Sequence, residues 1–495
     1  MIGKWTPRIA AALALLGAVR VTWVAVAYFG AGRLTRHRLE AAWIAFVLLS
    51  VVWLALSGAF RSEPAEPESR NGPGIPVLSA VFVVGSVVLY WPAIWIGLLS
   101  DDFSLVSRDT ASILRIGGWD HYRPLPLIAW KLLFPVGAAP ALHVMNVVLH
   151  GVNASLAADL AARLGHRRPL AALAGAIFLT FPAAVEPVAW SSGIFDVGMV
   201  TFGLLYLRAS MSDHSRTTQV LWLIGALLSK ETAVALPLAA AALRLGTSRP
   251  VRPLVLSGVV TVGYIVTRMS MGLSLPPAAT SPLRYTLKEL VGRPFASLAV
   301  PYTGSELAIH PFMLGTVSVT LVAALVWLYC RTPHAGARPI ALGSIVVIGV
   351  LPLWRFVAIG ETLEGSRYLY LPLVGWSILL ADLVAHDSAL RRWACTIALV
   401  TIVAVPGVWY VRQHLERWEE AAQVRDTVLR SAAQVLSESK CASAYFGNVP
   451  DSRQGVYIFR NGFSEALAGR AVAAAGGAPP ACAFTWTENH FEKIH

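Results

Sequence analysis

The sequence predicts an all-α polytopic membrane protein carrying a small α/β appendage at its C-terminal end. Over 495 residues only 14% are charged and 56% are apolar, whereas a soluble domain carries about 25% charged residues. Mean hydropathy is +0.60, and apolar runs long enough to cross a hydrocarbon core of about 30 Å recur along the chain. Lys and Arg collect in alternate short connections, as the positive-inside rule requires. These observations exclude an ordinary soluble enzyme, a disordered chain and a disulfide mini-scaffold.

Apolar runs bounded by charge, Pro or Gly give about thirteen candidate spans, near 8–29, 40–60, 75–99, 140–163, 170–187, 193–210, 218–228, 232–245, 253–272, 313–331, 340–358, 368–385 and 393–411. The runs 218–228 and 232–245 are short and suit a broken or re-entrant pair, so the expected total is about eleven to thirteen transmembrane helices. Residues 1–74 read as a two-span appendage with a Pro/Glu/Ser-rich linker, 75–411 as the membrane core, and 412–495 as an amphipathic helix plus a small domain. Arg167, Arg168, Arg208, Arg216, Arg244, Arg249, Arg252, Arg331, Arg338, Arg391 and Arg392 mark one face as cytoplasmic. The opposite face then holds 100–139, 188–192, 273–312, 359–367 and everything after about 411. The net charge of +12 follows from such loops and calls for no nucleic-acid partner.

The chemistry-bearing residues are expected on that opposite face. Asp101 and Asp102 stand side by side at the end of an apolar run. A carboxylate at a membrane edge is a functional-site candidate, and partial burial raises its pKa toward that of a general base. Asp is also a favoured helix cap, and adjacent side chains diverge. One of the two is therefore expected to do chemistry while the other caps, orients or binds metal. Arg123 follows Tyr122 and precedes Pro124, and its planar fork suits a phosphate. Lys230 with Glu231, and Arg367 with Tyr368, fall on the same face, so three cations suggest an anion site. The adjacency of Lys230 and Glu231 also allows a simple ion pair. His143, Asn146, His150 and Asn153 form one helical stripe, read first as interhelical hydrogen-bond glue. Glu186 and Asp196 are read as ligand-ordering residues or as partners of each other. Cys441 and Cys482 lie in the polar tail and can pair in an oxidising compartment.

Taken in order, Asp101-Asp102, Tyr122-Arg123-Pro124-Leu125, the His143–Leu156 helix, Val185-Glu186 with Val188-Ala189-Trp190, Leu228-Ser229-Lys230-Glu231, Arg367-Tyr368-Leu369-Tyr370-Leu371-Pro372 and the charged helix containing Trp418 resemble the integral-membrane GT-C glycosyltransferases. The resemblance is strongest to the multi-span O-mannosyltransferases with tetratricopeptide repeats and their bacterial relatives, and it runs from about Leu78 to Leu436. The terminal repeats are absent here. The resemblance implies transfer of a sugar from a polyprenyl-phosphate donor to a glycan, lipid or protein hydroxyl, at the extracytoplasmic side of a plasma membrane. It makes Asp101 or Asp102 the base, Arg123, Lys230 and Arg367 the donor-phosphate ligands, and Tyr122, His143, Asn146, His150, Glu186, Glu231 and Tyr368 the lining of the substrate pocket. No cofactor is required, and a divalent metal is compatible but not demanded. The alternative reading is a transporter or lipid-linked sugar flippase, since intramembrane charges also build substrate pathways; such proteins commonly show two similar halves, and no repeat is visible.

Overall fold

The computed structural model describes residues 75–109, 113, 122–212, 215–270, 293–299, 337–350, 359–360, 362–382, 396–397, 399–439, 443–468, 481–487 and 489–494. The spans expected at 8–29, 40–60 and 313–331, the appendage over 1–74, and Cys441 lie outside these residues. The described chain is mostly helical. Helix α1 covers Ile75–Leu89, α2 Asp101–Ser107, α3 Pro124–Arg163, α4 Arg168–Thr180, α5 Val185–Ala189, α6 Ile194–Ser210 and α7 Arg216–Leu227. Further on come α8 Leu236–Gly246, α9 Val255–Ser270, α10 Arg293–Ala299, α11 Arg338–Val350, α12 Tyr370–Asp382 and α13 Val405–Ser439.

Among the described residues three helices are long and apolar enough to cross a membrane: Pro124–Arg163, Ser191–Ser210 and Arg252–Ser270. The pair Arg168–Thr180 and Pro182–Ala189, bent by 56°, makes a fourth if it is one broken span. Helices α7 and α8 have 12 and 11 residues, about 18 and 17 Å at 1.5 Å per residue. Helix α9 exposes Val255, Leu256, Val259, Val262, Ile265, Val266 and Met269. Helix α1 exposes Val81, Val84 and Val88 while burying Phe82, Ser86 and Leu89. Apolar stripes of this extent suit a lipid environment.

Residues 124–136 differ from the sequence expectation of an outer loop over 100–139, because they are helical. Pro124 stands in the first turn, where its missing N–H costs nothing, and Leu127 and Trp130 are buried in a satellite core with Leu105, Leu142 and Phe195. The helical run breaks at Gly137 and Ala138, whose φ values are −144° and +52°, between Pro135 and Pro140. Proline thus stands at a helix start and on both sides of a kink.

A closed circuit of packed helices forms the core: α3 contacts α4 and α6, α6 contacts α8, α8 contacts α11, α11 contacts α12, and α12 returns to α4. Backbones approach closely at glycine. A Cβ at Gly151 of α3 would lie 2.5 Å from Val83 Cα and 2.8 Å from Phe82 O of α1.

Helix α13 runs unbroken across the boundary drawn at residues 411 and 412. Its apolar side, with Leu415, Trp418, Ala421, Val428, Leu429 and Ala432, is buried in the protein and not laid on a lipid interface as its amphipathic pattern suggested. Beyond it, β1 Ser443–Gly447 pairs in parallel with β4 Ala481–Trp486, which pairs antiparallel with β5 Phe491–Ile494. A hairpin joins β2 Ser452–Arg453 to β3 Val456–Tyr457. Its two loop residues, Gln454 and Gly455, have φ of +49° and +83°, as a type I′ turn requires. Helix α14, Phe463–Ala468, completes this region. Val456, Ile458, Phe459, Phe484 and Phe491 belong to the same buried cluster as the helical core, so the terminal strands are packed into the body.

Because the α1–α3 crossing has no room for a methyl group, Gly151→Ala is expected to cost about 1–3 kcal/mol of stability. A melting temperature in detergent equal to that of the parent protein would contradict this.

Candidate functional site

The site is built on the turn between the 3-10 segment Trp91–Trp95 and α2. Ser100 takes φ +49° and ψ −119°, a strained conformation for a residue with a side chain. It is held there because Ser100 N–H donates to Ile458 O at 2.8 Å and Leu99 N–H donates to Asp102 Oδ2 at 2.9 Å. Gly462, with φ +82°, sits so close that a Cβ would fall 2.5 Å from Ser100 O.

This geometry gives the two acids different tasks. Asp102 is 0% exposed, and its Oδ1 accepts from Ser192 N–H at 2.9 Å and from the Ser192 hydroxyl. With both oxygens engaged, it ties the strained turn to the start of α6. Burial pushes its carboxyl up from 3.8 to about 7, against the opposing pull of the Ser192 and Leu99 hydrogen bonds. Asp101 is half-buried; its Oδ1 accepts from Asn461 Nδ2 at 2.6 Å, and its Oδ2 has no protein partner among the described residues. Of the adjacent pair, Asp101 is the carboxylate that a second molecule can reach.

Each expected cation is matched with a carboxylate, though not always the one its sequence position suggests. Arg123 Nε and Nη2 donate to Glu231 Oε2 and Oε1 at 2.9 and 2.5 Å. Lys230, next to Glu231 in sequence, donates instead to Asp196 Oδ1 at 2.6 Å, with both side chains buried. Extended backbone at Lys230, with φ −159° and ψ 140°, sends these neighbouring side chains apart. Arg367 binds Glu186 through its guanidinium and through its backbone N–H at 3.0 Å, so Glu186 and Asp196 do not pair with each other. The Tyr368 ring joins these pairs: Lys230 Nζ and Arg367 Cζ each lie 4.8 Å from its centroid. Arg367 also stands 5.0 Å from the Trp190 ring, while Arg123 covers Phe195 at 5.1 Å.

Ser192 and Asp196 connect the acid turn to the cations. They are four residues apart at the head of α6 and so share a face, Ser192 holding Asp102 and Asp196 holding Lys230. Trp190 Nε1–H donates to Leu99 O at 3.2 Å, placing its ring between the acid turn and Arg367. Tyr122, just before Arg123, is half-buried.

The polar stripe of α3 lies behind this site as interhelical glue. His143 Nε2 is 3.1 Å from Gly97 O and 3.1 Å from Ser191 Oγ. Asn146 Nδ2 donates to Trp190 O at 2.8 Å. His150 contacts Tyr370 OH at 2.8 Å and Leu179 O at 3.1 Å, and Asn153 Nδ2 donates to Val197 O at 3.1 Å. All four are fully buried. Instead of lining a substrate pocket, His143 and Asn146 hold the backbone from which the site projects, and His150 lies deeper among Tyr90, Phe178 and Tyr370.

Ser192, Asn461, Ile458 and Tyr457, whose ring lies 5.8 Å from Arg367 Cζ, carry no local sequence signal, since each acts through a contact distant along the chain. Among the described residues no group of three or more His, Cys, Asp or Glu is arranged to hold a metal ion. Cys482 is disulfide-bonded, and its expected partner Cys441 lies outside the described residues. Comparison with family models, with curated proteins and with solved structures finds no match.

Two outcomes follow for Asp102. Its raised folded pKa means that its contribution to stability is full below about pH 3.8 and is lost as the pH rises through about 7. The melting temperature is therefore expected to fall between pH 5 and 8, and less steeply in Asp102→Asn. At pH 5 that variant, whose amide would present an N–H to one of three donors, is expected to lose about 1–3 kcal/mol; identical slopes in the two proteins would refute the assignment.

Proposed function

We propose that the protein is a membrane glycosyltransferase moving a sugar from a polyprenyl-phosphate donor to an acceptor hydroxyl at the extracytoplasmic side. The single observation that carries this reading is the division of labour in the acid pair beside a group of cations, Lys230 buried and Arg123 and Arg367 half-buried. A reachable carboxylate, Asp101, stands on a turn locked by Asp102, and the same helix head that locks the turn holds Lys230 through Asp196. The cysteine disulfide at Cys482 supports an oxidising compartment for the terminal region that covers the turn.

In this reaction Asp101 takes the proton of the acceptor hydroxyl as its oxygen attacks the anomeric carbon. The bond from that carbon to the phosphate oxygen breaks, and the electron pair leaves with the polyprenyl phosphate. In-line attack inverts the anomeric centre. Arg123, Lys230 and Arg367 receive the charge that develops on the departing phosphate. Their carboxylate partners do not exhaust them, because an ammonium has three N–H donors and a guanidinium five. The carboxylates fix the cations before the donor arrives, so little reorganisation is needed at the transition state.

Purified protein incubated with labelled polyprenyl-phosphate sugars and membrane extract is expected to transfer label. Asp101→Asn should lower the rate by about 10²–10⁴-fold with an unchanged melting temperature. Lys230→Gln is expected to lower it by about 10²-fold. Undiminished transfer in Asp101→Asn would remove Asp101 as the base, and accumulation of intact donor across vesicles without turnover would favour the flippase reading.

A further inference from the structure

A cavity borders the Glu186–Arg367 ion pair through the Glu186 side chain. It is an open-mouthed recess between α13, the Thr362–Ser366 loop and the tip of the β2–β3 hairpin, with about 300 Å³ of empty space when the open solvent at its mouth is counted. The polar groups on its wall are Thr362, Ser366, Gln454, Glu186, His414 and Arg417. The first four have ordinary surroundings, and the negative charge of Glu186 is matched by Arg367. His414 and Arg417 are different.

Arg417 has no carboxylate and no hydrogen-bond acceptor among the described residues, and its Nη1 is buried without a partner. Every cation of the neighbouring cluster has its own carboxylate, so this arginine departs from the local rule. A buried guanidinium N–H left unmade costs about 1–3 kcal/mol or more, and native structures rarely keep one without a use. His414, one helical turn away on the same face of α13, is 6% exposed. Burial and the adjacent Arg417 hold its imidazole near 4, so at neutral pH it offers an N–H without adding charge. The closing wall is Trp418, an apolar face beside the fork.

We infer that this cavity is an oxyanion site, in which the Arg417 fork, His414 and the polar wall bind a phosphate or carboxylate group carried by the acceptor. A planar fork with no protein acceptor is matched by an anion of either kind, and Arg417 is not among the cations assigned to the donor phosphate. The assignment to the acceptor rests on the proposed transfer reaction; the binding itself does not. An acidic acceptor would thus be held by Arg417 and the donor phosphate by Arg123, Lys230 and Arg367.

The test uses the full-length protein in detergent with no sugar donor, so that its outcome is separate from turnover. Melting temperature is followed at pH 7 against inorganic phosphate in one arm and glucuronate in the other, with chloride keeping ionic strength constant. At least one anion is expected to raise the melting temperature of the parent protein, and the arm that does so identifies the group. Arg417→Gln should weaken that anion by about 10–100-fold and should melt, without anion, no lower than the parent. If Arg417→Gln does not fold, Arg417→Lys serves: it keeps the charge, loses the fork and should bind the anion more weakly than the parent. No shift with either anion, a shift undiminished in the Arg417 variants, or a shift lost in Lys230→Gln but kept in Arg417→Gln would each overturn the site.

Discussion

Between Trp95 and Asp101 the backbone is neither helix nor strand, and it is buried: Ile96, Leu99 and Ser100 are each at most 1% exposed. Backbone polar groups in such a place must find partners inside the protein, since neither water nor lipid supplies them. The partners come from separate parts of the chain. Arg425 of α13 donates to Ile96 O and Leu98 O at 2.7 and 2.9 Å. His143 of α3 reaches Gly97 O, Trp190 reaches Leu99 O, and Ile458 O receives Ser100 N–H. Asp102 takes the N–H of Leu99 and carries the connection on to Ser192. Satisfying one irregular turn therefore draws together α3, the head of α6, α13 and the terminal strands.

That requirement explains why the terminal region is not a detachable appendage. Its loop supplies Ile458 O to the turn and Asn461 to Asp101, while Phe459 stacks on Phe103 of α2 at 6.1 Å. The hairpin tip presses on the other loop of the site, where a Cβ at Gly455 would lie 2.1 Å from Thr362 Oγ1. A carboxylate held by an amide on a packed loop keeps its position more tightly than one on a free helix end. The side chain proposed as the base is thus oriented by residues some 360 positions further along the chain.

Much of the helical layout was legible because it is local. Apolar runs, basic connections and the Pro and Gly punctuation mark helices such as α6 and α9 to within a few residues. The acids and cations of the site were also legible one by one, because charge beside apolar sequence is conspicuous. Their pairing was not. Sequence adjacency favoured Lys230 with Glu231 and Glu186 with Asp196, but extended backbone at Lys230 and the 3-10 turn at Ser191–Gly193 turn the side chains to other partners. The split between Asp101 and Asp102 was open for the same reason, since it depends on Ser192 and Asn461. The helical start at Pro124 lay inside the stretch expected as an outer loop over 100–139, and proline does not reveal it because it stands equally in a loop and in a first helical turn.

The two ends of the helical body use arginine in opposite ways. At the end holding the basic connections, Arg338 donates to Leu164 O at 3.1 Å and Arg249 to Met211 O at 2.5 Å, and Arg244 reaches Ser210 O. These carbonyls close the C-termini of α3 and α6, where unpaired acceptors and the helix dipole both favour a cation. Asp382 meanwhile takes Arg338 at 2.5 Å and lies 2.9 Å from His166. Those arginines are spent on helix ends and have a structural task. At the other end Arg123, Lys230 and Arg367 meet carboxylates and aromatic faces, and no helix terminus needs them. A cation paired with one carboxylate over a π-face keeps donors in reserve, in surroundings of low dielectric where they act strongly on an arriving negative charge. The same residue type is thus a helix cap on one side and the partner of a carboxylate and an aromatic face on the other, distinguished by what the backbone beside it lacks.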